Sequence, residues 1–488
     1  MKQIVLIILL LIPRLAFGLA AFDGAEGWGT DTTHGRGGTV YIVSNTNDSG
    51  SGSLRECVEA SGARICVFST GGIITLSSGL TVSNPYLYIA GQSAPGGGIL
   101  IKGKTFTVED HDVLVRYITF RRGAEGDTDA VFVGDNGSDQ VYNVVFDHCS
   151  MSWATDEIFN SWYRVEGLTL SYNLIAEGLH CSTHSEGCHS AGVQLGGYKY
   201  SEADETSTAA DQISFHHNLM AHNSMRMPVV KITGTADIRC NLSYNSIHDF
   251  AYPNFQAENY TVKYNFVKNY YKKGPDSPGD IWEINVSDMG GAGCEVYVES
   301  NIGPNRTNDE MDEDIIVKEA DRGYVVESEH TFSAITEEDT AGDVYTYLTT
   351  TGRPGNSRYV DCNGVWQNRR DSVDTAIVSE VINGTGEIPD CVDCSNDDCT
   401  GNGTPYECCT GEYAGDCTSA GAWPTIAAGT GCTDTDSDGM PDAWETATFG
   451  DLSQTATGDY DSDGYNNIEE YLDGTSMQLT NQGVSINQ

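Results

Sequence analysis

An all-β solenoid of stacked coils is the fold class this sequence predicts, and three observations predict it. Short runs rich in β-branched and aromatic residues, among them TVYIV, GIITL, VLVRYITF, LTLSYNLI and ISFHHNLM, are bounded by Gly, Asn, Asp or Ser, and they read as a succession of strands. Several runs end alike, in Tyr172-Asn173, His217-Asn218, Tyr244-Asn245 and Tyr264-Asn265, at intervals of roughly 20–45 residues. Apolar residues at helical period are scarce before about residue 335. A β-sandwich is also built from short strands. Recurrence of one side-chain pair at matching strand ends favours coils in which like residues lie above one another.

The chain opens with MKQIVLIILLLIPRLAFGLA, a lysine followed by an apolar run and small residues, which reads as a secretory signal peptide over residues 1–20. A membrane anchor is the competing reading. Pro13 and Arg14 interrupt the run and no stop-transfer cluster follows, and no later stretch is apolar enough to span a bilayer. Residues 21–390 then carry the strand runs. Within them, residues 310–390 are richer in Glu and Asp, and TAGDVYTYLTTTG and DSVDTAIVSEVINGTG read as short helices of a capping segment. Residues 391–432 form a Cys-rich linker, residues 433–475 hold two metal loops, and residues 476–488 are a tail.

With 26 Lys and Arg against 70 Asp and Glu, the formal net charge is −44. That balance excludes nucleic acid as a partner, because phosphate binding needs a basic surface. It also means that any polyanionic substrate requires local cations or a bound divalent metal. Fifteen cysteines in an exported chain predict several disulfides and at least one unpaired thiol. Cys57 with Cys66 and Cys181 with Cys188 close short loops, each worth about 2–3 kcal/mol if unstrained. Zinc competes with disulfides for Cys391, Cys394 and Cys399. Cys149 is expected to be a buried, inert thiol.

Near the C-terminus, DTDSDGMPDAWE places oxygen donors at Asp434, Asp436, Asp438, Asp442 and Glu445, with the carbonyl of Met440 at position 7 and Gly439 at the sharp turn. The segment DYDSDGYNNIEE repeats this with Asp459, Asp461, Asp463, Asn467 and Glu470, the carbonyl of Tyr465 and Gly464. Such spacing wraps twelve residues around one calcium ion. The tandem resembles dockerin-type or thrombospondin type 3 repeats, and the expected role is structural, since the segment has little core of its own. A merely acidic tail is the bland alternative.

AFDGAEGWG, GGTVYIVSNTNDSGSGSLRECVEA and IAGQSAPGGGILIKG, followed in order by FDHCSMSWATDE, HSEGCHSAGVQLGG, HHNLMAHNSMRMP and RRDSVDTAIVSEVINGTG, resemble bacterial pectate lyases of polysaccharide lyase family one, in the branch that includes pectate trisaccharide-lyases. The likeness spans about residues 21–390. It implies a right-handed parallel β-helix, secretion, and calcium-assisted β-elimination of de-esterified polygalacturonate by a monomer. By the same resemblance Asp129, Asp156 and Asn160 are calcium ligands. Asn160 stands where the family has a second acid, which puts its affinity in doubt, and Glu157 or Asp127 is placed to compensate. Arg226 takes the position of the proton-abstracting base, Lys231 that of a cation gripping uronate carboxylates, and His189 or His184 a substrate contact. A further family lysine is missing.

The chemistry explains these residue types. Elimination removes the C5 proton beside a carboxylate that resists further negative charge, and a metal ion on that carboxylate stabilises the enolate-like state. An arginine base is demanding: at pH 9 a pKa of about 12.5 leaves about one side chain in 3,000 neutral, a cost of about 5 kcal/mol. Burial or an adjacent cation lowers that cost, and a pure substrate clamp is the other reading of Arg226. His148 is read as a packing residue at a strand end. Competing functions are a pectin lyase, against which Asp129 and Asp156 speak; a polygalacturonase, for which no paired carboxylates are found; and a non-catalytic β-helical glycan binder, which Asn160 and the missing lysine favour.

Overall fold

The computed structural model describes residues 18–135, 140–197, 210–254, 261–286, 293–350, 352–392 and 419–474. Most of the expected signal peptide, most of the Cys-rich linker with Cys394 and Cys399, and the tail 476–488 lie outside the described residues. Among those described, three parallel sheets run the length of a β-solenoid. The first sheet stacks eleven strands from Thr39–Val43 to Val325–Val326, the second eight from Gly72–Thr75 to Tyr270–Lys272, and the third seven from Leu80–Val82 to Tyr252–Asn254. One coil reads Val141–Asp147, Ser150–Ser152, Glu157–Ser161, and the next reads Val165–Ser171, Leu174–Ala176, Ala191–Leu195. Each strand pairs only with its counterparts in the coils before and after, as a solenoid requires. The expected fold class is the one observed.

Alternation places Val144, Phe146, Met151, Phe159, Leu168, Leu170, Ile175 and Val193 inside the coils, in one continuous apolar core. At the corner between the first and second sheets, a single left-handed residue turns the chain in coil after coil: Tyr117, His148, Tyr172, His217, Cys240, Lys268 and Ser300, all with φ of 51° to 55°. Most of these are bulky side chains in a conformation that ordinarily costs roughly 1–2 kcal/mol each. Adjacent buried asparagines offset it. Asn173, Asn218, Asn241, Asn269 and Asn301 form a ladder in which each amide donates to the Oδ1 of the next, at 3.0–3.1 Å, and that same Oδ1 also accepts a backbone N–H from the coil before. Only Asn173 and Asn218 of the four expected pairs belong to the ladder. Asn265 sits within a strand of the first sheet, and Asn245 turns the chain at the far end of the second.

Two helices, Ala341–Thr350 and Ser372–Asn383, occupy the expected segments. Asp371 caps the second by accepting the N–H groups of Val373 and Asp374. Val344, Leu348, Ile377 and Val381 cover Leu174, Leu219 and Leu242 on the outer face of the second sheet. Arg121, fully buried, pairs with Asp371 and Asp374 and fastens this cover to the coils. Disulfides join Cys57 to Cys66, Cys181 to Cys188 and Cys362 to Cys432. Cys391 is disulfide-bonded too, which removes it from the zinc reading. Cys149, Cys240 and Cys294 are free and buried, and burial pushes each thiol up, out of reactive range.

Candidate active site

The two helices cover the second sheet, and the outer face of the third gathers the polar residues singled out above. Asp129 precedes the strand Val131–Val133, held there by the Thr105 hydroxyl, which donates to its carbonyl at 2.7 Å. Its Oδ1 accepts the backbone N–H of Glu157 from the following coil at 3.0 Å. Carboxylate oxygens of Asp129, Asp156 and Glu157 all lie within 4.8 Å of one another. Three hard oxygen donors from two adjacent coils suit a divalent cation such as calcium. Burial, with Asp156 beside it, pushes the Asp129 carboxyl up to about 7. Asp156 stays below its ordinary range: burial raises it, but His189 at 3.1 Å outweighs that.

Asn160 is engaged by side chains of the neighbouring coils. Its amide nitrogen donates to Asp129 Oδ2 at 3.1 Å, and its oxygen is taken by the amide of Gln194 at 3.2 Å. Asn160 therefore bridges coils, and Glu157 supplies the third carboxylate. Gln194 Oε1 in turn accepts from Lys231 Nζ at 3.2 Å. The result is a polar line, Asp129–Asn160–Gln194–Lys231, across four coils. Asp127 lies outside the cluster, because its carboxylate accepts the backbone N–H and the hydroxyl of Ser185.

Arg226 sits in a left-handed turn at φ 60°, just before the strand Val229–Lys231. Its guanidinium pairs with Glu157, and its half-buried position lowers its pKa. Lys231, its ammonium 5.5 Å above the Trp162 ring, is brought down to about 8 by burial and by the positive charge of Arg226. On the other side of the cluster, the Cys181–Cys188 loop presents His184 and His189, stacked at 4.1 Å and both turned to Asp156. Arg226, Lys231, His184 and His189 thus gather around three carboxylates on one face of a very acidic protein. Gln194 and Trp162 escaped the sequence reading; the alternation of AGVQL, which turns Gln194 outward between Val193 and Leu195, was the available signal for the first. His148 lies in the corner column, stacked between Tyr117 and Tyr172 at 4.8 Å, away from this face and consistent with a packing role.

In the C-terminal loops the two copies share one hydrogen-bond scheme. Asp434 accepts the N–H of Gly439 at 3.0 Å, and Asp459 that of Gly464 at 3.2 Å. Asp438 and Asp463 each accept the N–H two residues on, that of Met440 and of Tyr465, at 2.9 Å. Asp442 and Asn467 accept the backbone N–H groups of Thr435 and Tyr460 and close each loop on itself. Gly439 at φ 95° and Gly464 at φ 108° make the sharp turn that only glycine adopts easily. Oxygens of Asp434, Asp436 and Asp438 lie within 4.8 Å of one another.

A parallel β-helix carrying a carboxylate cluster beside an arginine and a lysine is shared with the fold of polysaccharide lyases, and the relatives place the chain among them. A probable pectate lyase C of Aspergillus terreus is 31% identical over 460 residues, covering 92% of this chain and 93% of that protein. The chain belongs to the pectate lyase family. The probable pectate lyase C of Emericella nidulans is 37% identical over 243 residues, about half of each chain (49% and 51%). A solved structure of a pectate lyase bound to a hexasaccharide matches in fold at a TM-score of 0.51 and 13% identity, covering 70% of this chain and 98% of that one. No family model matches the chain.

Proposed function

We propose that the protein is a secreted, calcium-dependent pectate lyase that cleaves de-esterified polygalacturonate by β-elimination to unsaturated oligogalacturonates. The observation that carries this reading is the convergence of Asp129, Asp156 and Glu157 within 4.8 Å, directly beside Arg226. These three carboxylates would hold the calcium ion, which when bound acts as a Lewis acid toward the uronate carboxylate. Arg226 is the base that takes the C5 proton. The freed electron pair becomes the C4–C5 double bond, the C4–oxygen bond breaks, and the departing oxygen acquires a proton. Lys231 and His189 hold substrate carboxylates on either side of the cluster, and Asn160 and Gln194 fix the distance between the metal site and Lys231. No described helix is long and apolar enough to cross a membrane, and the disulfides suit an oxidising compartment.

The test is the ultraviolet absorbance of unsaturated uronate released from polygalacturonate, with calcium and then with chelator. A calcium-dependent rise, lost by at least about a hundredfold in Arg226→Ala, supports the reading. Undiminished cleavage after complete metal removal, or reducing ends without absorbance, overturns it.

A further inference from the structure

The two C-terminal loops are not a free appendage. Met440, Trp444, Ile468, Tyr471 and Leu472 are buried against Ile65, Val67, Tyr88 and Leu114, on the outer face of the first sheet in its earliest coils. The same segment grips the start of the mature chain. Glu469 accepts from Arg36 at 2.9 Å and lies 3.2 Å from His34, and the Asn466 side chain accepts the N–H of Gly37 at 2.7 Å. Asp473 pairs with Arg116 at 2.5 Å, and the Cys362–Cys432 disulfide ties the segment's beginning to the hairpin of strands Arg358–Val360 and Trp366–Asn368.

Inside this contact lies an uncompensated group. Glu445 is 0% exposed, and neither oxygen of its carboxylate has a hydrogen-bond partner, nor has Asp438 Oδ2. The strongest charges acting on Glu445 are those of Asp438, Asp436 and Asp434, all of its own sign. A buried carboxylate facing three others is unfavourable unless a cation occupies the space between them. The second loop shares with the first the backbone hydrogen bonds accepted by its first, fifth and ninth residues.

We propose that the loops Asp434–Glu445 and Asp459–Glu470 each close around one hard divalent cation, and that these two ions clasp the mature N-terminal segment onto the first coils of the solenoid. Each closing glutamate begins or lies in a helix whose apolar face is the contact surface: Trp444 adjoins Glu445, and Tyr471 adjoins Glu470. Closing the loop therefore sets the helix against the coils.

The experiment uses the full mature chain and calcium as the probe. Bound ions are counted by calorimetric titration, and trypsin cleavage at Arg36 is followed in wild type, in Glu445→Gln/Glu470→Gln, and in Asp129→Ala. The double variant is expected to bind two fewer ions and to be cleaved at Arg36 at least about tenfold faster in saturating calcium, while retaining lyase turnover at low temperature. Asp129→Ala is expected to lose one ion and keep its protection, so failure of the clasp and failure of the lyase reading are distinguishable. Should the double variant not fold, wild type with and without chelator gives the same readout. An unchanged ion count in the double variant, or equal cleavage at Arg36 with and without calcium, overturns the proposal.

Discussion

Gln194 donates its side-chain amide to Asn160 Oδ1 at 3.2 Å, and this one contact determines what Asn160 can do. With its oxygen engaged and its nitrogen given to Asp129, Asn160 neutralises repulsion in a cluster of acids without adding to it. Asn160→Asp removes a donor and adds a fourth carboxylate. The metal-free variant is expected to lose about 1–3 kcal/mol of stability, while half-maximal activity is reached at roughly tenfold lower calcium. Thermal unfolding in chelator and a calcium titration of activity check the two halves.

Lys231 gives a pH signature. Burial and Arg226 bring its ammonium down to about 8, so the charge is present below that pH and is lost as pH rises through it. KM for polygalacturonate is expected to rise above about pH 8 while kcat changes less. In Lys231→Arg that rise is expected to vanish across the same range, because the guanidinium stays charged. Michaelis profiles between pH 7 and about 10 decide it.

The asparagine ladder should behave as a stability element. Asn241 Oδ1 accepts both the backbone N–H and the amide of Asn218, and its own amide donates to Asn269. Asn241→Ala strands several buried groups, for an expected cost of about 2–4 kcal/mol in denaturant unfolding. Turnover at low temperature is expected to stay near wild type, since the ladder lies away from the open sheet.

His216 predicts acid lability. Burial, together with His217, lowers it to about 3, and its ring faces His217, the Glu26 carbonyl, Asp147 and Arg239. Between pH 6.5 and about 3 the unfolded chain binds a proton that the folded one refuses. Stability present above pH 6.5 is therefore lost as pH falls through this window, at most about 1.4 kcal/mol per pH unit from this group. His216→Gln is expected to flatten the dependence of the unfolding midpoint on pH over that range.

Much of this was legible in the sequence because a solenoid writes its repeat into the chain. Strand runs ending in asparagine announced stacked coils, and Asp129, Asp156 and Arg226 were recognisable from the motifs around them. The ladder itself was misread. Its members follow Tyr, His, Cys, Lys and Ser, so the aromatic partner that drew attention in Tyr244-Asn245 and Tyr264-Asn265 marks no position in the coil. Residue identity alone could not show the bridge that Asn160 makes between coils, because its partner is Gln194, thirty-four residues away.

Solenoids ordinarily fray from their extremities, where a terminal coil has a neighbour on one side only. Here Ala21 and Phe22 are buried in one apolar cluster with Trp444 and Tyr471, so the beginning of the mature chain and the latest described stretch meet on the same coils. A tensile load applied between those two stretches would shear a compact junction sideways before it could peel any turn from the rod. The molecule is, mechanically, a buckled belt.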